Sequence, residues 1–231
     1  MIQDTILNVR KRILRACSKI NKNPESITIV AVSKGRSSEQ IKEVIGTGII
    51  DIGENRVQEA FAKHNELQTL NSKLQTIKWH MVGHLQTNKV KDAVKIFSLI
   101  QSVDSLHLAR EIDRQAAKIN KIQDILIEIK TSPEATKFGV KPDEAVEVIK
   151  EMAKLKNINI KGLMTIAPIM DNPEKTRPYF ILLRELIDKI NELRTMNYEL
   201  RILSMGMTDD FEVAIEEGAN MLRLGRAIFE D

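Results

Sequence analysis

A lysine stands directly after a short apolar run near the start of the chain. Lys34 follows the residues TIVAVS, and the Val and Ile of that run predict a strand at Thr28–Val32. Burial of a lysine stem at a strand end favours the neutral amine, which is the nucleophile that forms Schiff bases with carbonyl compounds. By itself, Lys34 can also be a lysine that extends from a strand end into solvent.

Two glycine-containing segments late in the chain have the composition of an anion site. Ser204-Met205-Gly206-Met207 offers a hydroxyl, a glycine that permits close backbone approach, and the start of a predicted helix. Arg223-Leu224-Gly225 offers a cation and a second glycine. Each segment alone can also be a glycine turn or a surface ion pair. A fold that placed Lys34 opposite both segments would favour a site for a phosphorylated ligand.

Two histidines and a cysteine are weaker candidates. His80 and His84 have the i, i+4 spacing of a zinc-binding helix, but they flank Gly83 at a predicted strand end and lack the Glu of H-E-x-x-H. Cys17 lies in a predicted amphipathic helix with no adjacent histidine, which favours packing over reactivity. The sequence therefore predicts neither a metal site nor a reactive cysteine.

Short runs rich in Val, Ile and Leu alternate with longer amphipathic segments along the chain. The predicted strands are Thr28–Val32, Ile49–Ile52, Ile77–Val82, Leu99–Val103, Asp124–Ile129, Ile160–Met164, Leu200–Leu203 and Met221–Leu224. The predicted helices cover residues 38–46, 54–69, 87–95, 105–118, 142–154, 173–194 and 208–217. Such alternation predicts βαβ units and a parallel sheet, hence an α/β protein.

Eight such units in 231 residues favour a closed (β/α)8 TIM barrel over an open doubly wound sheet, which remains the alternative. A single domain over residues 1–231 is the simplest organisation, because no low-complexity linker separates the units. An extra N-terminal helix, at about residues 2–20, is expected to cover the bottom or the side of the barrel. Chemistry in this fold lies at the C-terminal ends of the strands, where Lys34, Ser204 and Arg223 are all expected.

Composition excludes several classes of protein. The formal net charge is only +3, from 35 basic and 32 acidic residues, and the two signs are interspersed. The densest basic cluster, residues 10–22, is either a solvated helix face or an anion- or RNA-binding patch. One Trp, two Tyr and six Phe are too few for base-stacking platforms, so nucleic acid is not an expected partner. One cysteine, no signal peptide and no long apolar run indicate a cytoplasmic protein without a membrane anchor.

Several longer segments resemble the pyridoxal phosphate homeostasis protein family, which shares its barrel with the N-terminal domain of alanine racemase. The matching segments are VAVSK (30–34), GENRVQEA (53–60), WHMVGHLQTNK (79–89), KFG (137–139), GLMTIAP (162–168), LSMGMTDDFEVAIEEGA (203–219) and MLRLGRAIF (221–229). They extend over almost the whole chain, and WHMVGHLQTNK and LSMGMTDD are the most specific of them.

The resemblance implies pyridoxal 5′-phosphate as cofactor and a role for each matching residue. Lys34 is implied to form the internal aldimine, and Asn55 to lie beside the pyridine ring. Ser204, Met205, Gly206 and Gly225 are implied to form the phosphate-binding loops. Arg223 matches an arginine that faces the pyridine nitrogen, although a contact with the phosphate instead stays open.

Departures from the family pattern leave the rim of the implied site open. The sequence has Ile52 and Arg56 where many members have Phe and Tyr, Lys130 where Asn is frequent, and Gly35 where Thr is frequent. None of these removes an implied ligand. His80 or Met164 is expected to lie against the ring.

The resemblance also implies a role, in which the protein stores, buffers or delivers pyridoxal phosphate and is not an enzyme. The sequence ends just after the eighth predicted strand, without the racemase's second domain, and the two tyrosines, Tyr179 and Tyr198, are not placed at the predicted mouth. An arginine at the pyridine nitrogen weakens the ring as an electron sink. We therefore expect a monomer that serves pyridoxal-phosphate-dependent apo-enzymes. The alternative is a pyridoxal-phosphate-dependent enzyme such as a small racemase or lyase.

Overall fold

Eight parallel strands form a closed barrel in the computed structural model, which describes residues 1–68, 77–134, 138–194 and 199–230. The strands are β1 Thr28–Val32, β2 Asp51–Glu54, β3 Lys78–Met81, β4 Leu99–Val103, β5 Gln123–Glu128, β6 Ile158–Met164, β7 Ile202–Ser204 and β8 Met221–Leu224. Each strand pairs with the next along the chain, and β8 pairs with β1 to close the ring. The predicted α/β class and (β/α)8 barrel are confirmed.

Helices surround this barrel. They are α1 Ile2–Lys19, α2 Ser38–Gly46, α3 Val57–Gln68, α4 Val90–Ile96, α5 Leu106–Ala117, α6 Ala145–Met152, α7 Arg177–Glu192, α8 Phe211–Glu216 and α9 Arg226–Phe229. Among the residues that the structure describes, no helix is both long and apolar enough to span a bilayer. Lys137 of the KFG segment and Tyr198 lie outside the described residues.

Side-chain caps account for two of the helix starts. The Ser37 hydroxyl accepts a hydrogen bond from the Gln40 N–H while the Gln40 side chain accepts one from the Ser37 N–H, so α2 begins with a capping box. The Ser105 hydroxyl accepts from the Leu108 N–H and caps α5. The predicted helix at 142–154 begins late, at Ala145, because Pro142 lies in a preceding turn.

Two strand predictions begin two residues too early. β2 begins at Asp51 and β7 at Ile202, whereas the apolar runs begin at Ile49 and Leu200. Ile49 and Leu200 are both buried, so their apolar character reflects packing before each strand joins the ladder. An apolar run shows where the chain is buried, whereas the residue at which a strand begins depends on where its hydrogen bonds to the neighbouring strand begin.

The N-terminal helix lies against the side of the barrel, where it packs on α8, α9 and α2. Its Thr5 hydroxyl donates to the Ile228 carbonyl oxygen at 2.6 Å, and Arg12 forms an ion pair with Glu212 at 2.8 Å. Ile6, Val9 and Ile13 form its buried stripe, with the three- to four-residue spacing of a helix face. Of the two predicted positions, the side of the barrel is therefore the one observed.

Alternate residues of each strand point into the barrel, as the period of two requires. An inner apolar cluster fills the middle, and it comprises Val30, Val82, Leu99, Leu126, Met164 and Met221. The remaining buried apolar residues form a separate outer core between barrel and helices. Polar side chains of the same strands also point into the barrel, next to the inner cluster, and they position the candidate site.

Candidate functional site

Lys34 lies at the C-terminal end of the barrel, which we call the mouth. Val30 packs in the inner cluster and Val32 packs against it, so alternation along β1 continues to Lys34 on the inward register. Lys34 is exposed, and it lines a cleft of about 480 Å³ together with Asn55 and His84. The lysine is therefore at the functional end of the fold and open to a ligand.

Alternation along the neighbouring strand, β2, places Asn55 at the mouth as well. A Cβ on Gly53 would meet Val30 and Val32, so Gly53 faces inward, and Asn55, directly after the end of β2, is the next inward position. Gly83 lies so close to Asn55 that an added Cβ would be 2.6 Å from the Asn55 carbonyl oxygen. Gly83 therefore allows the loop after β3 to pack against Asn55 and fixes one wall of the cleft.

A second cavity, of about 170 Å³, adjoins the cleft and shares Gly83 and His84 with it. Its apolar lining includes Val82 and Ile166, and its charged lining includes Glu128. The His84 ring stacks on Phe138 at a centroid separation of 3.7 Å, and its Nδ1 lies 3.1 Å from Asp104 Oδ2. The mouth thus has an apolar recess with an aromatic stack at its rim.

Glu128 is the buried carboxylic acid of this recess. It is the inward residue at the end of β5, and its side chain is buried. Burial and, to a smaller extent, the charge of Asp104 raise its pKa to about 7, against the charge of Arg223, which lowers it. A carboxyl group that exchanges its proton near neutral pH therefore lies at the mouth.

The two glycine segments meet at the mouth beside β1. Gly206 has φ +94°, and an added Cβ would lie 2.7 Å from Ala214 Cβ and 2.9 Å from Phe211 Cα. Gly225 has φ −106°, and an added Cβ would come no nearer than 3.6 Å, to the Val32 carbonyl oxygen. The Thr208 hydroxyl accepts from the Ala227 N–H at 3.2 Å and joins the two loops. Gly206 is thus required by the fold itself, whereas Gly225 leaves open space at the mouth.

Arg223 lies below the loops, inside the barrel, and is buried. Its Nη1 donates to Ser204 Oγ at 2.6 Å and its Nη2 donates to the Thr165 carbonyl oxygen at 2.7 Å. Burial lowers the pKa of Arg223 to about 10, against the charges of Glu128 and Asp210, which raise it. The guanidinium therefore stays charged at neutral pH and is held rigidly by its partners.

A chain of hydrogen bonds continues from Arg223 across the interior. Ser204 Oγ donates to Gln101 Oε1 at 2.6 Å, and Gln101 Nε2 lies 2.9 Å from His80 Nδ1. His80 Nε2 in turn lies 2.9 Å from Asp51 Oδ1. Arginine can only donate, so the Ser204 hydroxyl accepts from Arg223 and its proton goes to Gln101 Oε1. The Gln101 amide then donates to His80 Nδ1. This assigns His80 as the tautomer with its proton on Nε2, which donates to Asp51.

The sequence-predicted residues occupy three different places. Lys34, Asn55 and Gly225 surround the mouth, and Ser204 and Arg223 lie just beneath it. His80 and Met164 are in the barrel interior, where His80 uses both ring nitrogens within the polar chain. Met205 packs instead in the outer core.

Sequence similarity over nearly the whole chain identifies its family. The family model described as alanine racemase, N-terminal domain, matches residues 9–231. The chain is 42% identical to the pyridoxal phosphate homeostasis protein of Aquifex aeolicus over 98% of this chain and 96% of that protein. The chain belongs to the pyridoxal phosphate homeostasis protein family. The same family name is carried by a protein of Synechocystis, 38% identical over 90% of this chain and 93% of that protein.

Solved structures agree with this family assignment. PipY of Synechococcus elongatus, whose structure has pyridoxal phosphate (PLP) bound, is 34% identical, and the match has a TM-score of 0.82 and covers 94% of this chain and 99% of PipY. The alanine racemase of Clostridium difficile in complex with cycloserine is 20% identical, with a TM-score of 0.71 over 96% of this chain and 59% of the racemase. That enzyme therefore shares the fold.

Three features of this family member were not singled out from its sequence. Glu128 is an inward residue of β5, which the alternation after Leu126 signals once the register is known. Thr208 is part of the LSMGMTDD segment, but nothing in that segment signals its contact with the second loop. Lys63, on α3, contacts the backbone next to Lys34, and no local pattern signals a contact across 30 residues.

Proposed function

We propose that this chain binds pyridoxal 5′-phosphate at the barrel mouth and holds it for storage, buffering or delivery, with Lys34 as the covalent anchor. The observation that carries the proposal is the convergence of Lys34, the two glycine loops and the buried Arg223 cation at one end of one barrel. The names of the relatives and the PipY complex support the same cofactor.

The residues at the mouth fit this cofactor. The apolar recess with Val82 and Ile166 suits a pyridine ring, and the Gly225 loop has space for a phosphate to approach the backbone. When bound, the cofactor would supply an aldehyde that the Lys34 amine could hold as a Schiff base, with loss of one water. Asn55 and Met164 would contact the ring from the cleft wall and the barrel floor.

Arg223 supports holding of the cofactor over turnover. Placed at the pyridine nitrogen, the cationic guanidinium would donate a hydrogen bond and leave that nitrogen unprotonated, which would weaken the ring as an electron sink. Ser204 and the Thr165 carbonyl fix the guanidinium, so it cannot move aside. His80, at the far end of the same chain, would act by orienting Gln101 and Ser204.

The second candidate is a pyridoxal-phosphate-dependent enzyme, and Glu128 is the observation in its favour. A racemase or lyase needs groups that move protons near neutral pH, and Glu128, with a pKa of about 7, lines the recess. Sustained turnover of an amino acid by the purified protein, lost in both Lys34→Ala and Glu128→Gln, would establish this enzyme and reject the carrier.

A spectroscopic experiment tests the binding proposal. PLP added to the purified protein is expected to give a yellow Schiff-base band, and borohydride reduction followed by peptide mass mapping is expected to place the adduct on Lys34. Lys34→Ala should abolish the band, whereas Lys91→Ala, which changes an exposed lysine of α4, should retain it. An adduct on Lys89, which lines the same cleft, or no adduct at all, would refute the role of Lys34.

We also propose that the protein works as a monomer and serves pyridoxal-phosphate-dependent apo-enzymes. The support is that Lys34, Arg223 and the Gly225 loop converge within one barrel, so a single chain can form the proposed site. Light scattering coupled to gel filtration should give the mass of one chain with and without PLP. A dimer that forms on addition of PLP would contradict the monomer proposal.

Delivery to apo-enzymes has its own test. An apo-enzyme mixed with the PLP-loaded protein should regain activity faster than the rate at which PLP dissociates from the loaded protein alone.

A further inference from the structure

A buried lysine on α3 contacts the backbone beside Lys34. Lys63 is 8% exposed, and its Nζ donates to the Ser33 carbonyl oxygen at 2.6 Å, to Glu54 Oε1 at 2.6 Å and to Glu59 Oε1 at 2.8 Å. An ammonium group has three protons, and all three are used. Lys63 is therefore not available as a competing nucleophile, and its contacts are those of a clamp.

The clamp holds both neighbours of Lys34. On one side, Ser33 is fully buried, its carbonyl accepts from Lys63, and its hydroxyl donates to Glu54 Oε1 at 2.5 Å. On the other side, the Gly35 N–H donates to Glu59 Oε1 at 2.7 Å. Lys34 itself is exposed between these two fixed points. The backbone of the lysine is thus anchored while its side chain stays open to the cleft.

The charges make Lys63 the centre of this cluster. Glu54 is fully buried and burial raises its pKa, whereas hydrogen bonds from Lys63 and Gly35 outweigh burial and lower the pKa of Glu59. Without Lys63, two carboxylates would face each other with no cation between them. Repulsion and the loss of three hydrogen bonds would then release the Ser33–Gly35 backbone.

We propose that Lys63 is a positioning residue for the Lys34 amine, which it acts on through the Ser33–Gly35 backbone and the carboxylates of Glu54 and Glu59. This inference rests on the proposed function, because it assigns Lys63 a part in the capture of the PLP aldehyde. Attack on an aldehyde depends on the distance and angle of the amine, so a loosened loop slows capture even where the barrel stays folded.

The test compares two lysines that bind backbone carbonyls at different places. Lys63→Met removes the clamp, and Lys121→Met removes a partly buried lysine that donates to the Val94 and Phe97 carbonyl oxygens before β5, away from the mouth. The measurements are the rate of Schiff-base formation with PLP, the melting temperature, and deuterium exchange of residues 33–37. We expect Lys63→Met to slow capture at least about tenfold and to increase exchange. Lys121→Met should change capture less than about twofold, and Lys63→Arg should recover part of the rate.

The outcomes separate this inference from the proposed function. If the wild-type protein captures PLP on Lys34 and Lys63→Met captures it as fast as Lys121→Met does, the positioning role is wrong and the proposed function stands. If the wild-type protein captures no PLP, the proposed function itself is wrong. If Lys63→Met does not fold, Glu59→Ala decides, because Glu59 is on the more exposed side of the cluster. Its loss frees the Gly35 N–H and removes one of the three Lys63 contacts, while those with Ser33 and Glu54 stay. Slower capture in Glu59→Ala supports the clamp, and an unchanged rate refutes it.

Discussion

Replacement of Glu128 by glutamine tests the electrostatics of the mouth directly. Glu128 is 7% exposed at the end of β5, and burial raises its pKa from 4.5 to about 7 despite the nearby charge of Arg223. Glutamine has the same shape and cannot ionise. Glu128→Gln therefore removes the cost of ionising a buried carboxyl group while it preserves the packing of the recess.

The sign and size of the effect follow from proton linkage. Between pH 4.5 and about 7 the unfolded chain has lost this proton and the native protein retains it, so the native state becomes less stable as pH rises. A pKa difference of this size costs about 1 kcal/mol of unfolding free energy at pH 5 and about 3 kcal/mol at pH 8. Glu128→Gln should thus be more stable than the wild-type protein, and its advantage should grow by about 2 kcal/mol between these pH values.

Thermal unfolding at pH 5 and pH 8 measures this difference. For a chain of this length, about 2 kcal/mol corresponds to about 4–8 °C in melting temperature. Glu43→Gln, which changes an exposed carboxyl on α2, is the matched control and should show no such trend. If the advantage of Glu128→Gln over the wild-type protein is the same at both pH values, Glu128 ionises normally and the argument from burial is wrong.

Two other changes test the loops and the polar chain. Gly206→Ala should lose about 2–4 kcal/mol of unfolding free energy, because φ is positive and its Cβ meets Phe211 and Ala214. The free energy of unfolding of Gly225→Ala should stay within about 1 kcal/mol of the wild-type value, but this variant should release PLP faster. Equal melting temperatures for Gly206→Ala and Gly225→Ala would contradict this difference. Ser204→Ala should lose about 1–3 kcal/mol and retain PLP less well, because Arg223 and Gln101 lose their shared partner. Collapse of its circular dichroism spectrum would show that Ser204 is structural only.

The sequence by itself determined the barrel and the end at which its chemistry lies. Eight apolar runs separated by amphipathic segments have few ways to bury both faces of each strand, and parallel strands bring their C-terminal ends together. Lys34 and the segments around Ser204 and Gly225 follow such strands, so their convergence was predictable without coordinates. Ser37 was equally predictable as a cap, because a capping box is a local pattern.

Only the tertiary structure decided which polar groups meet. The contact of Lys63 with Ser33, and the chain from Arg223 through Ser204 and Gln101 to His80, join residues that are distant in sequence. These contacts depend on strand register, because a shift of one residue would move Gln101 or Glu128 to the opposite face of the sheet. The raised pKa of Glu128 likewise arises from burial, which is a property of the closed barrel and of no segment alone.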